Sequence, residues 1–495
     1  MRFLTLLTAL VIAVMRLTAP LSAAPAQSPH VPVIVVGGGL AGLLTAYELE
    51  KKGLHAAVLE AGPRLGGRIQ TADYGAGLKA EFGMQEVWEK NPLLSVVKEL
   101  GLETEATDNA YSSLIIDGRL YPFIQNSQKE FFKTLFTADE RKVFDAVIAE
   151  MEDLYREATT KGLTSRTRAL QDVSYADWLK AHKLPGKVEQ TLRLTIEVEL
   201  AALSEQFSAL SAILEWRVFL FGGEKNYHVK GGNSRIITSL ASHLHGPVQL
   251  NAEVVAVKSV PQGGGAYDCE VTYMTGREMR QMRSDAVVVA VPWVRLHGIQ
   301  FDPPLGEARW NAIDTLGRGQ YTVAHFIMST EAMKLWTTDN GASPFPILSN
   351  GPLGVIYGPH NKGNGAGEMV FGLLIYGPEA QAHHMKPRDA KRDEILAELD
   401  KLYPGFSKYV RATYMYGYHP ASVAYWPPGR SPLDEGSALI RQPKDALFLA
   451  GDWLYNSHSE GAALAALQTA KDVAAFLKKQ SPPHSLWLPA ASTRP

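Results

Sequence analysis

The chain has 495 residues, 46% of them hydrophobic and 20% charged, with a net charge of −2. That length allows two or three domains with a sizeable core. The near-neutral balance gives no electrostatic case for a nucleic-acid partner or an acidic membrane surface, and a lone cysteine, Cys269, excludes an internal disulfide and any cysteine-rich zinc or iron–sulfur site.

At the N-terminus, Arg2 precedes an apolar run over residues 3–14, followed by small residues and Ala24-Pro25-Ala26. This pattern reads as a secretory signal whose removal leaves a chain starting near Gln27, periplasmic or secreted. Arg16 follows the run awkwardly, so retention as an uncleaved anchor is the alternative. There is no twin-arginine pair and no cysteine for a lipid anchor. No apolar run after residue 30 is long enough for a transmembrane helix.

Residues 31–36 (VPVIVV) form a β-branched run suited to a buried parallel strand. Gly37-Gly38-Gly39-Leu40-Ala41-Gly42 follows, then a helical pattern over 43–52 closed by Gly53, then a second strand over 56–59 ending at Glu60. Gly37 suits a tight turn, Gly39 a close backbone approach to a pyrophosphate, and Gly42 close helix–sheet packing. The helix N-terminus offers free N–H groups to phosphates, and Glu60 can accept hydrogen bonds from ribose hydroxyls. A dinucleotide site is therefore expected.

The run after it selects the dinucleotide. Glu60-Ala61-Gly62-Pro63-Arg64-Leu65-Gly66-Gly67-Arg68 adds a second glycine approach and a phosphate-pairing arginine. It resembles the flavin amine oxidase superfamily, which includes monoamine, polyamine and L-amino-acid oxidases. The resemblance implies non-covalent FAD, with Glu60 and Ala61 at the adenosine ribose and Arg68 along the cofactor. It extends to Glu81-Phe82-Gly83-Met84-Gln85, which implies flavin contacts at Gly83 and Met84, and to a strand over 249–258 with backbone contact at Val254. It also covers Phe301-Asp302-Pro303-Pro304-Leu305 and Gly451-Asp452. The helix opened by Ser459-Glu460-Gly461-Ala462 would turn its positive end to the ring.

The implied architecture is α/β: a doubly wound Rossmann-type FAD-binding domain (31–90, 225–300 and 438–478) with a second domain of mixed sheet plus helices (91–224 and 301–437). The helical stretches include 140–157 and 188–220. A loosely ordered tail over 481–495 is Pro-, Ser- and Ala-rich.

The sequence also departs from that family. Val323 occupies the position of a family lysine, and no lysine occurs between Lys258 and Lys334. Oxygen or another electron acceptor must then be served without it. His325 would substitute only in a shifted register; a structural role is the default. Ala421 stands where monoamine oxidases tether FAD through cysteine, and Ser422 and His458 stand where they carry their two flanking aromatics. His458, with a reference pKa near neutrality, is the foremost catalytic candidate. Trp426, in Tyr425-Trp426-Pro427-Pro428-Gly429, is expected to wall the pocket, and Tyr418 can reach it if its loop folds back. Glu86 lies near where L-amino-acid oxidases place an arginine, so an acid there favours cationic amines; a solvated surface glutamate is the alternative. Cys269 reads as a small buried hydrophobe, and no metal site is expected.

The expected reaction is oxidation of a small amine by hydride transfer to flavin N5, with hydrolysis of the imine. Two alternatives stand beside it. A C–C desaturase or isomerase of related fold would form an alkene. A non-catalytic FAD-bound subunit would leave the flavin oxidised with every small molecule.

Overall fold

The computed structural model describes residues 29–107, 112–123, 128–337, 342–359 and 367–480. The segments read as signal and tail, 1–26 and 481–495, lie outside them. No helix among the described residues is long and apolar enough to cross a membrane.

The β-branched run forms the strand His30–Val36, whose last four residues are buried. It lies in the middle of an eight-stranded sheet, paired in parallel with Ala56–Leu59 on one side and Glu278–Val289 on the other. Val248–Gln249 and Leu447–Leu449 add further parallel strands. The strands Ala252–Gly263, Ala266–Thr275 and Glu278–Val289 form an antiparallel meander; the strand expected over 249–258 divides between Val248–Gln249 and the first of them, and the first and last run beyond their apolar stretches. Their outer halves alternate exposed and buried residues, which a search for continuous apolar runs does not register.

Helices Leu40–Glu50 and Ser459–Gln480 cover one face, packing with Leu93, Val97, Ile236 and Leu240. The first starts at Leu40 rather than 43, because Gly39 takes the extended N-cap conformation. Helix Leu93–Glu99 also enters this core, so the nucleotide-binding unit reaches past residue 90. The other face packs on Trp293, Ile313, Trp426 and Ile440.

The second unit is built on a seven-stranded mixed sheet ordered Val410–Gly417, Tyr321–Ser329, Glu368–Tyr376, Val355–Pro359, Ile347–Ser349, Ser113–Ile116 and Arg119–Tyr121. Helices flank it. Ala138–Lys161 begins with a capping box between Thr137 and Glu140. The helical pattern over 188–220 resolves into two helices, Gly186–Leu200 and Ala209–Glu215. Ala201 ends the first in the left-handed conformation at φ +51°, and the Ser208 side chain caps the second. That break places Glu199 and Glu215 near the C-terminal ends of the two helices.

Candidate active site

The expected cofactor cradle is assembled at the C-terminal ends of the parallel strands. Gly37 has φ +107°, and a Cβ there would meet Ala290 O at 2.7 Å. At Gly42 a Cβ would overlap the backbone carbonyl of Gly37, which is the close helix–strand packing its position implied. A Cβ at Gly39 would meet nothing within 4 Å, so the open space of the cradle lies there. The Glu60 carboxylate accepts N–H bonds from Gly38 and Gly62, both at 2.7 Å. It therefore fixes the two turns as well as standing at the strand end. Ala61 is exposed beside it. Ala252 N donates to Glu60 O at 2.8 Å, and the meander shifts register between Val254 and Ala256.

Arg68 joins the separate pieces. It donates to Ser422 O at 2.6 Å and pairs with Asp452 Oδ1 at 2.5 Å. Asp452 is 5% exposed, and its second oxygen, Oδ2, has no partner among the described residues. A buried carboxylate oxygen without a donor calls for a ligand hydroxyl. Gly83 is pressed against Arg68 O, and Met84 N donates to that carbonyl at 3.3 Å. Asn233 holds this segment by donating to Met84 O at 2.8 Å and Gln85 O at 3.1 Å. Gly451, at φ +153°, turns the chain into Asp452. Gly461 N and His458 N both donate to the Asn456 side chain, at 2.8 and 3.2 Å, and Ala462 is buried behind them. These residues fit a dinucleotide with a hydroxylated chain near Asp452.

A second group of side chains lies at His458. His458 Nε2 is 2.8 Å from Glu215 Oε1 and 4.0 Å from Glu199 Oε2. Arg217 bridges Glu215 at 2.9 Å and Glu460 at 2.5 Å, so Glu460 is held by an ion pair and by Asn456 at 3.0 Å. Burial alone would raise Glu215, but His458 and Arg217 outweigh it and hold its carboxyl well below the usual range. Burial likewise disfavours the His458 cation, yet Glu215 and then Glu199 keep its pKa above the ordinary value. Glu199 goes the other way. Burial, with Glu215 and Glu86 adding repulsion against the pull of His458, pushes it up to about 7. Tyr321 and Tyr357 border it, both raised well above their normal value by burial and then by these carboxylates. The Tyr321 hydroxyl donates to the carbonyls of Val198 and Glu199 at 2.5 and 2.8 Å. Glu199, Glu215 and His458 each offer one ligand atom within 4.8 Å of the others, and Arg217 lies on the Glu215 carboxylate of the same trio.

Trp426 lies elsewhere. It is 2% exposed in the core with Trp453 and Ile440, and its indole N–H donates to Ser437 Oγ at 3.0 Å. The segment runs down onto helix Glu435–Arg441, so the ring packs instead of walling a cavity with His458. Tyr418 does fold back, donating to Phe82 O at 2.8 Å. Ser422 accepts from Tyr321 N at 2.9 Å. His325 is buried and bonded to the Tyr74 hydroxyl at 2.7 Å, and burial lowers it to about 4; it is a neutral structural residue. Val323 is 1% exposed, paired across the sheet with Leu374 and Tyr416. Cys269 is buried in the meander beside Ser259.

Sequence reasoning missed Glu199, Glu215 and Arg217. A signal was present: Glu215-Trp216-Arg217 stands alone in the otherwise apolar run from Leu210 to Phe221, and two opposite charges in such a run suggest a buried pair.

The model of the flavin containing amine oxidoreductase family matches residues 40–474. The chain belongs to that family. Its fold and its flavin dependence follow, and the cofactor for which the cradle is shaped is FAD. With Cys269 deep in the sheet and alanine at 421, no cysteine can tether it. The Mycobacterium tuberculosis AofH protein, named for flavin-containing monoamine oxidase, is 25% identical over 393 residues, covering 75% of this chain and 81% of its own. The L-amino-acid oxidase BjussuLAAO-I of Bothrops jararacussu is 23% identical over 455 residues, 86% of each chain. Among solved structures, putrescine oxidase bound to putrescine superposes with a TM-score of 0.75 at 24% identity, covering 90% of this chain and 99% of its own. Cyclohexylamine oxidase from Brevibacterium oxydans gives 0.73 at 18%, covering 91% and 100%.

Proposed function

We propose that this flavoenzyme oxidises a small cationic amine at its C–N bond, giving an imine that water hydrolyses. Bound FAD supplies the acceptor of the hydride, at N5. The observation that carries the substrate class is the composition of the His458 cluster. Glu86, Glu199, Glu215 and Glu460 act there against two cations, Arg217 and His458. An amino-acid carboxylate would need a free guanidinium, and Arg217 is 14% exposed and already holds two carboxylates. A surplus of buried anions favours a ligand cation over a neutral hydrocarbon.

The chain's own residues have distinct parts in this reading. Arg68, Asp452 and the glycines of the cradle hold the cofactor. Glu215 raises the proton affinity of His458 and stands 2.8 Å from its Nε2, and Arg217 holds Glu215 in place. Tyr321 and Tyr357 are buried beside the carboxylates and lower the local polarity, which strengthens the charge interactions there. Oxygen, or another acceptor, takes the electrons without the lysine that Val323 replaces.

The test is anaerobic mixing of FAD-loaded protein with primary, secondary and polyamines, amino acids and neutral alkenes, following flavin absorbance. Bleaching by amines and not by amino acids is expected. Bleaching only by amino acids, or by none of the panel's amines, removes the reading. Readmitting air then shows whether oxygen restores the colour.

A further inference from the structure

The carboxylates at His458 are not equivalent. Glu215 carries two cations, and Glu460 is held by Arg217 and Asn456. Glu215 is therefore too acidic to accept a proton, and the Nε2 of His458 is taken up by Glu215 at 2.8 Å. Glu199 differs on each count. No donor among the described residues reaches its carboxylate, and its nearest cation is His458 at 4.0 Å. It stands in the last turn of Gly186–Leu200, where the negative end of the helix disfavours an anion. Tyr321 anchors that turn by its carbonyls, so the backbone that carries the carboxylate is fixed in place. Its side chain keeps 29% exposure, against 7% for Glu215, so a ligand can reach it.

We propose that Glu199 is a catalytic residue that binds the ammonium group of the substrate and takes one proton from it. The proposal rests on the amine reading above. In this step an N–H bond of R–CH2–NH3⁺ breaks and an O–H bond forms on Glu199, leaving R–CH2–NH2 and a neutral carboxylic acid. No electrons change hands. The freed lone pair is what oxidation of the adjacent C–H bond requires, and the carboxyl returns its proton to water after product leaves. The charged and titratable groups facing Glu199 come from every neighbouring element: Glu215 and Arg217 from the second helix and its 3-10 extension, His458, Glu86 before Val87, and Tyr321 and Tyr357 from the mixed sheet. Together they set its proton affinity near neutrality, at about 7, so that part of it is ionised at neutral pH and that part is basic enough to receive a proton.

The experiment is Glu199→Gln in FAD-loaded enzyme, with flavin absorbance confirming cofactor content and Glu199→Asp as the conservative control. Anaerobic bleaching by the best amine is measured from pH 6 to pH 10. In the wild type, the second-order bleaching constant should rise through about pH 7. In Glu199→Gln it should fall by about 10²–10³-fold at pH 7 and recover to within about tenfold at pH 10, where the amine (pKa about 10) supplies its own free base. Glu199→Asp should keep the limb near neutrality. Calorimetry with tert-butylamine, which has no α C–H to oxidise, gives a second readout in buffers of different ionisation enthalpy. The wild type should release one proton per amine bound at pH 6 and none at pH 8.5; the glutamine variant should show no such change. An equal loss at pH 7 and pH 10, or no loss, overturns the proposal. If no amine bleaches the wild type, the amine reading fails, and the calorimetric protons alone decide the role of Glu199.

Discussion

Glu215→Gln removes the anion on which the buried cluster depends. Its carboxylate is 7% exposed, 2.8 Å from His458 and 2.9 Å from Arg217. Arg217 keeps Glu460 at 2.5 Å, so the loss falls mainly on His458. Breaking one buried pair costs about 3–5 kcal/mol. At about 2 °C per kcal/mol, the low end suited to a chain of this size, melting should fall by about 6–10 °C. The pH dependence has a definite sign. The folded value of Glu215 is depressed, so its contribution is present above the unfolded carboxylate value of about 4.3 and fades as pH falls below it. The folded value of His458 is raised, so its contribution is present below about 6.5 and fades as pH rises through the raised value. The gap between wild type and variant should be widest between about pH 4.5 and 6.5. Flavin release followed by fluorescence during heating, repeated from pH 4 to pH 9, measures it. A gap worth less than about 1 kcal/mol, or one that does not vary with pH, would refute a buried charged unit.

Asp452→Asn leaves Arg68 without its anion and should weaken FAD binding by about 10–100-fold, the size of one hydrogen bond to a charged group; reconstitution of apoprotein followed by flavin fluorescence measures this. Trp426→Phe removes the N–H bond to Ser437 and should cost about 1–2 kcal/mol of stability, with activity per bound flavin unchanged; a selective loss of turnover would put the ring back in the pocket. We propose that the chain is exported with cleavage after Ala26, so N-terminal sequencing of protein from the native host should begin near Gln27, and an intact Met1 would show retention.

The cofactor cradle was legible because its requirements are local. A strand, three glycines and an acid at fixed spacing constrain the backbone wherever they occur; Gly37 and Gly42 take the turn and the close packing that their positions implied, while Glu60, expected at a ribose, also ties Gly38 N and Gly62 N. Arg68 and Asp452 were legible as separate contacts but not as partners, since 384 positions separate numbers 68 and 452 in the chain. The His458 cluster was half legible. His458 was found because it stands where monoamine oxidases carry a flanking aromatic, but its raised pKa depends on Glu215 and Glu199, which two helices and the bend at Ala201 bring to it. Apolar periodicity over 188–220 reads as continuous helix and gives no sign of that bend. Trp426 shows the opposite failure: an aromatic beside a Pro-Pro-Gly turn looks the same in sequence whether it faces a cavity or a core, and only Ser437 and Ile440 beneath it decide.

The most direct measurement is a single anaerobic turnover with the best primary amine and its α,α-dideuterated form. Bleaching should be slowed several-fold by deuterium, with one aldehyde and one ammonium formed per flavin. Bleaching without those products, a new alkene in their place, or a flavin that stays oxidised with every amine would contradict amine oxidation.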